Sequence, residues 1–216
     1  EWAQACVEDE TSSLQLADYA SGIRIQAIPG KGRGLVATKC LKRGDVILNS
    51  RALAFCKGIK AREELSEAVL QAVQQRGSCA ENLIKLLAKA PGTSCGAEQI
   101  PGICDLQGRS TFTCPLPLLP PEETTITKAE IEAVLSANAL GRGSAGAEQA
   151  LAGLWPLPSM CNHDHRPNAT YSLFDSVLVL KVARDVAAGE EICISYTPWD
   201  CSDADRVAKL NSGWGI

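Results

Sequence analysis

Three stretches of this chain carry residue types that can do chemistry. The only two histidines of the 216 residues, His163 and His165, lie in one string, Ser159-Met-Cys-Asn-His-Asp-His-Arg-Pro-Asn-Ala169. A His-x-His pair can ligate a metal, but two ligands do not close a structural zinc site, and no Cys-x-x-Cys pair stands anywhere to complete one. The same string also suits a surface loop, or a buried histidine held by one hydrogen bond. A second stretch, Pro29-Gly-Lys-Gly-Arg-Gly34, is a glycine-rich turn. Its glycines permit positive φ and let backbone approach a ligand closely, with Lys31 and Arg33 near a ligand carboxylate; a plain tight hairpin explains the same glycines. Its spacing is neither a dinucleotide fingerprint nor a P-loop, and no helix follows. The third, Ala183-Arg-Asp-Val-Ala-Ala-Gly-Glu-Glu-Ile-Cys-Ile-Ser-Tyr196, reads as a hairpin ending on a half-buried phenol. Each stretch is weak alone; their order and separation carry the argument.

The elements that must position them are mostly strands. Ile23, Ile25 and Ala27 alternate with polar residues, and Leu35–Ala37 and Val46–Leu48 follow as short strands around a turn at Lys42–Asp45. Ala169–Phe174, the apolar run Val177–Ala183 and Glu191–Tyr196 are three more, the middle one well buried, with a turn at Ala187–Glu190. Between the two β regions the period changes. Leu65, Val69 and Val73, then Leu83, Ile84, Leu87 and Ala88, fall at helical spacing, with Gly77 between them and Pro91-Gly92 ending the second. Residues 91–126 read as a loop rich in Pro, Gly, Ser and Thr. Thr127 and Glu130 form a capping box ahead of the apolar stripe Ile131, Val134, Leu135. Gly141–Gly146 matches G-x-G-x-x-G but follows a helix, so it reads as a chance match in a loop that stops that helix. A last helix is expected over Ser202–Leu210.

Bulk properties narrow the class. Hydrophobic residues make up 45% and charged residues 21%, ordinary for one globular domain or one domain with a large insertion. A net charge of −4 gives no basic surface for direct nucleic-acid binding, and no apolar stretch is long enough to span a membrane. The ten cysteines are scattered and several sit in apolar runs, such as Cys193 between Ile192 and Ile194. That pattern favours reduced thiols in a nuclear, cytosolic or organellar protein over five disulfides.

Gly30-Lys-Gly-Arg-Gly-Leu35, then Asn162-His-x-x-x-Pro-Asn168, then Gly189-Glu-Glu-Ile-x-x-x-Tyr196 resemble the signature of SET-domain protein lysine methyltransferases. The likeness is to the branch with a long insertion: MYND-insert enzymes, fungal Asn-His-Asp-Cys-Arg-Pro-Asn types and tetratricopeptide-linked proteins. It implies a mainly β, β-clip-like fold of small twisted sheets around a knot-like crossing, with a helical insertion. The parts implied are an N-terminal extension (1–20), the first SET part (21–55), the insertion (56–158), the second SET part with the active site (159–200) and the start of a post-SET segment (201–216). It further implies methyl transfer from S-adenosyl-L-methionine to the lysine side chain of a histone or non-histone protein. Cofactor contacts would come from Lys31, Gly32, Arg33, Gly34, Asn138, Ser159, Asn162, His163 and Trp214, and catalysis from Tyr196. Asn211-Ser-Gly-Trp-Gly-Ile216 resembles the Trp-Gly-Phe that leads into a Cys-x-Cys-x-x-Cys cluster. The sequence stops before such a cluster, which implies weak cofactor binding and slow turnover by this chain alone. His165 stands where the family has a cysteine ligand, so it would bind zinc only if those cysteines follow. The partner implied is a lysine-bearing protein or peptide, with no nucleic acid, no membrane and a monomeric chain. The alternative is a non-catalytic SET-like module that binds a peptide or partner protein.

Overall fold

The structure, a computed structural model, describes residues 19–76, 80, 84, 87, 88, 98, 99, 113, 114, 126–143, 146–198 and 201–214. The first β region holds β1 (Tyr19–Ala20), β2 (Ile23–Ile28), β3 (Gly32–Ala37), β4 (Val46–Arg51) and β5 (Ala54–Lys57), followed by helix α1 (Ala61–Arg76). Then come β6 (Glu98–Gln99), β7 (Thr113–Cys114), α2 (Lys128–Asn138), β8 (Leu140–Arg142) and β9 (Leu151–Leu154). A 3-10 turn (Pro158–Met160) leads into β10 (Asn162–His163), β11 (Ala169–Phe174), β12 (Val177–Val182), β13 (Glu191–Ile194) and α3 (Asp203–Trp214).

The strands form small sheets, as expected. One has the order β1-β4-β12-β11, a second β10-β13-β3-β2, a third β5-β9-β8, and β6 pairs with β7. Pairings between the named strands are antiparallel except that of β10 with β13. In β2, alternation does what the sequence predicts: Ile23 and Ile25 are buried while Arg24 and Gln26 face solvent. β12 lies between β4 and β11, yet it buries one face, with Leu178, Leu180 and Val182 inside and Lys181 out. Its continuous apolar run is therefore a one-sided strand.

α1 lays Ala61, Leu65, Val69, Ala72 and Val73 on the core. Ala80, Ile84 and Leu87 are helical and buried at the spacing of one helix face; Leu83 and Pro91-Gly92 lie outside the described residues. At α2 the Thr127 Oγ1 accepts from the Glu130 N–H at 3.3 Å, and the Glu130 carboxylate accepts from the Thr127 N–H at 2.8 Å. That box satisfies two donors that a helix start leaves open. Ile131, Val134 and Leu135 are buried beneath it.

Several expectations are corrected. The region read as a loop over 91–126 contains the β6–β7 pair. Gly141 and Arg142 belong to β8, paired with Ala152 and Leu151, because a glycine there lets the chain lie directly against the Leu151 carbonyl. The strand expected to reach Tyr196 ends at Ile194, and the last helix runs on to Trp214.

Within the second β region, Asn168 ties the start of β11 to β13. Only 2% exposed, its amide nitrogen donates to the Glu191 carbonyl at 2.7 Å and to Glu190 Oε1 at 3.2 Å, and its Oδ1 accepts from the Cys193 N–H at 2.8 Å. Asn168→Ala leaves a buried carbonyl and a buried N–H without partners, at about 1–3 kcal/mol each. Denaturant unfolding should show stability falling by about 2–4 kcal/mol; a loss under about 0.5 kcal/mol would mean this lock does not hold β13.

Candidate active site

The glycine turn closes through the Lys31 N–H donating to the Ile28 carbonyl at 3.1 Å, with Gly30 and Gly32 at φ 75° and 84°. Gly34 lies on β3 opposite Gln26, where space decides the residue. A Cβ there would stand 2.9 Å from each of Asn162 Nδ2, Glu191 Oε1 and Ile28 Cγ1. The parallel β10–β13 pair sets Asn162 beside Cys193 and His163 beside Ile194. Two stretches distant in sequence thereby meet the third.

Asn162 is fixed from both sides. Its Nδ2 donates to the Arg33 carbonyl at 2.9 Å and to Glu191 Oε1 at 2.6 Å. Both amide hydrogens are spent within the protein, so Oδ1 is left aimed as an acceptor, suited to an ammonium or other cationic donor. The second oxygen of Glu191 pairs with Lys31 Nζ at 2.9 Å. That hydrogen bond raises the Lys31 pKa and keeps its ammonium charged. Arg33 Nη2 donates to the Leu87 carbonyl at 3.0 Å.

His163 serves Tyr196. Its Nδ1 accepts from the Tyr196 N–H at 3.1 Å, so a neutral ring carries its proton on Nε2. Burial lowers the His163 pKa and favours that neutral form. With Nδ1 engaged and Nε2 buried, His163 has no nitrogen to offer a metal. His165 is exposed, its ring 5.0 Å from that of His163. Among the described residues no group of three His, Cys, Asp or Glu is arranged to hold a metal ion.

The Tyr196 hydroxyl donates to the Cys161 carbonyl at 2.8 Å. Burial, the largest influence, pushes its pKa well above the usual phenol value, so it stays protonated. Tyr196, Cys161, Ile194, Asn138, Ser159 and Tyr171 line a cavity of about 340 Å³ that extends past β8 and the start of α1. Ser159 Oγ lies 2.7 Å from both the Asn138 and Trp155 carbonyls and shares its one hydrogen between them, tying the end of α2 to the 3-10 turn.

The predicted residues thus fall in two connected groups. Lys31, Gly34 and Asn162 meet at Glu191, while Asn138 and Ser159 meet Tyr196 around the cavity; adjacent Cys161 and Asn162 join the two. Trp214 ends α3, and its side chain lies outside the described residues. Two further residues were not singled out from sequence. Glu191 is a charged residue opening an otherwise buried strand, and Tyr171 shares the face of Ala169 and Leu173 on β11. Those local patterns were the available signals.

The family profile described as SET domain matches residues 32–197, well over half of the chain. The chain belongs to that family. It is 48% identical over 56 residues to a chicken (Gallus gallus) protein-lysine N-trimethyltransferase, SMYD5, covering 25% of this chain and 13% of that protein. It is 31% identical over 71 residues to a histone-lysine N-methyltransferase of Arabidopsis thaliana, ASHR2, covering 30% and 18%. The chain therefore spans less than a fifth of the length of either relative. The solved SET domain of LSMT, bound to lysine and AdoHcy, aligns over 91% of this chain and 52% of that one, with 18% identity and a TM-score of 0.46.

Gly34→Ala forces a methyl against the Asn162 and Glu191 side chains. The expected result is a loss of about 1–3 kcal/mol in thermal or denaturant unfolding, as for other overpacked sites. An unchanged midpoint would show that the close approach at Gly34 is not tight.

Proposed function

We propose that this SET-domain chain carries the site of a protein-lysine N-methyltransferase that uses S-adenosyl-L-methionine. The single observation behind the reading is the convergence of the glycine turn, Asn162 and the part-buried Tyr196 hydroxyl on neighbouring surfaces. The donor set fits such a cofactor: Asn162 Oδ1 offers an acceptor to its ammonium, and Gly34 leaves room where a side chain would intrude. Lys31, Gly32, Arg33, Asn138, Ser159, His163 and Trp214 belong to the proposed cofactor set.

When bound, the cofactor supplies an electrophilic methyl on a sulfonium. The target lysine must present a lone pair, yet a free lysine amine has a pKa of about 10.4 and is charged at neutral pH. A cavity lined by Tyr196, Ile194 and Cys161 favours the neutral amine by withholding water from the ammonium. The Tyr196 oxygen donates its hydrogen to Cys161 and so turns its lone pairs away from that carbonyl, where they can accept from the amine N–H. His163 fixes the Tyr196 backbone, and Ser159 with Asn138 fixes the cavity wall. The residues' work is positioning and electrostatics.

The substrate in this reading is a lysine of a histone or non-histone protein, met in the nucleus or cytoplasm. The five described cysteines (40, 56, 161, 193 and 201) with described side chains are free, in keeping with a reducing compartment. No described helix is long and apolar enough to cross a membrane.

The test is incubation of the purified protein with methyl-labelled S-adenosylmethionine and histone or total-protein substrates, with label mapped by mass spectrometry. Label on lysine side chains is expected. Tyr196→Phe should lower kcat by about 10²–10³-fold while cofactor affinity changes less than about threefold. Calorimetric cofactor binding with no lysine labelling would favour a binding module, and equal activity in Tyr196→Phe would remove the phenol from the mechanism.

A further inference from the structure

We propose that Glu191 sets the preference of the cofactor site for the cationic methyl donor over its neutral demethylated product. This rests on the reading that the Lys31–Gly34 turn and Asn162 hold the cofactor. Donor and product share an ammonium and a carboxylate; they differ by one methyl and by the positive charge of the sulfonium. A site that must release product after each turnover gains from distinguishing the two by charge, because their shapes nearly coincide.

Glu191 is built to govern that charge. Its side chain is 18% exposed, and its two oxygens are divided between Asn162 Nδ2 at 2.6 Å and Lys31 Nζ at 2.9 Å. The carboxylate therefore offsets the one ammonium that the glycine turn brings to Asn162. Lys31 stays charged through this contact, and Asp164 is near enough to act on it in the same sense. With Glu191 present the Lys31–Glu191 pair is neutral as a unit. Without its charge, Lys31 keeps only the weaker influence of Asp164, so the wall beside Asn162 becomes more positive, which disfavours a ligand of net charge +1 and leaves a ligand of net charge zero largely unaffected. For unit charges on the order of 10 Å apart, after solvent screening of the half-exposed Lys31, the difference amounts to roughly three- to tenfold in relative affinity. A contact that merely held the fold would weaken both ligands by one factor.

Calorimetric titration of S-adenosylmethionine and S-adenosylhomocysteine into the wild-type protein, Glu191→Gln, Lys31→Met and the double variant tests this. Glu191→Gln keeps an oxygen for Asn162 and loses the charge; its preference for donor over product should fall roughly three- to tenfold. Lys31→Met leaves Glu191 uncompensated and should raise the preference. The double variant restores charge balance and should return to within about twofold of wild type. Should Glu191→Gln fail to fold, the opposite shift in Lys31→Met, an exposed turn residue, still decides the matter. One constant ratio across the variants would overturn the proposal and leave the cofactor reading standing. If the wild-type protein binds neither ligand, the cofactor reading falls and this inference with it.

Discussion

The parallel pairing of β10 with β13 is the constraint on which the site depends. Two residues of β10 are enough because each does a second task. Asn162, opposite Cys193, reaches across to the Arg33 carbonyl of β3, and His163, opposite Ile194, receives the backbone N–H of Tyr196. A two-residue ladder is weak by itself. It holds because Asn168, a few residues on, makes two hydrogen bonds to the same strand and one to Glu190 just ahead of it. The string carrying both asparagines thus clamps β13 at two points, and Tyr196 just beyond β13 is bonded to the same string at His163 and Cys161.

Electrostatics at this junction follow from burial. The partly buried Glu191 carboxylate is kept ionised company by Lys31 and a donor in Asn162, so no lone charge is withdrawn from water. On the other side of Asn162 the chemistry changes: Cys161 and Tyr196 sit where burial raises both pKa values, and the wall they form is uncharged. A charged side that suits a zwitterionic ligand and a neutral side that suits an uncharged amine meet within adjacent residues, Cys161 and Asn162. In the proposed reading, that polarity places the cofactor on the charged side and the lysine amine on the neutral one.

Much of this was legible in the sequence where the information is local. The capping box of α2 and the alternation of β2 and β11 depend on neighbours within a turn or a strand. β5, β8 and β9 were not legible, because their stability comes from one another and from the core. Gly153 in β9 would normally argue against a strand, yet a Cβ there would stand 2.7 Å from the Trp155 ring, so the glycine makes space for the largest fully buried side chain. Glu191 was hidden for a related reason. Its partners lie 29 and 160 residues away, so the charge opening a buried strand marked the residue but not what it would bridge.

In the proposed reading the glycine turn, Asn162 and Tyr196 bound one continuous site, and a crystal structure of the protein with S-adenosylhomocysteine tests this most directly. The predicted result has the amino-acid end of the ligand against Gly32–Gly34 and Asn162, with its sulfur facing the Tyr196 hydroxyl. Density for the ligand elsewhere on the molecule, or with its sulfur turned away from Tyr196, would contradict it.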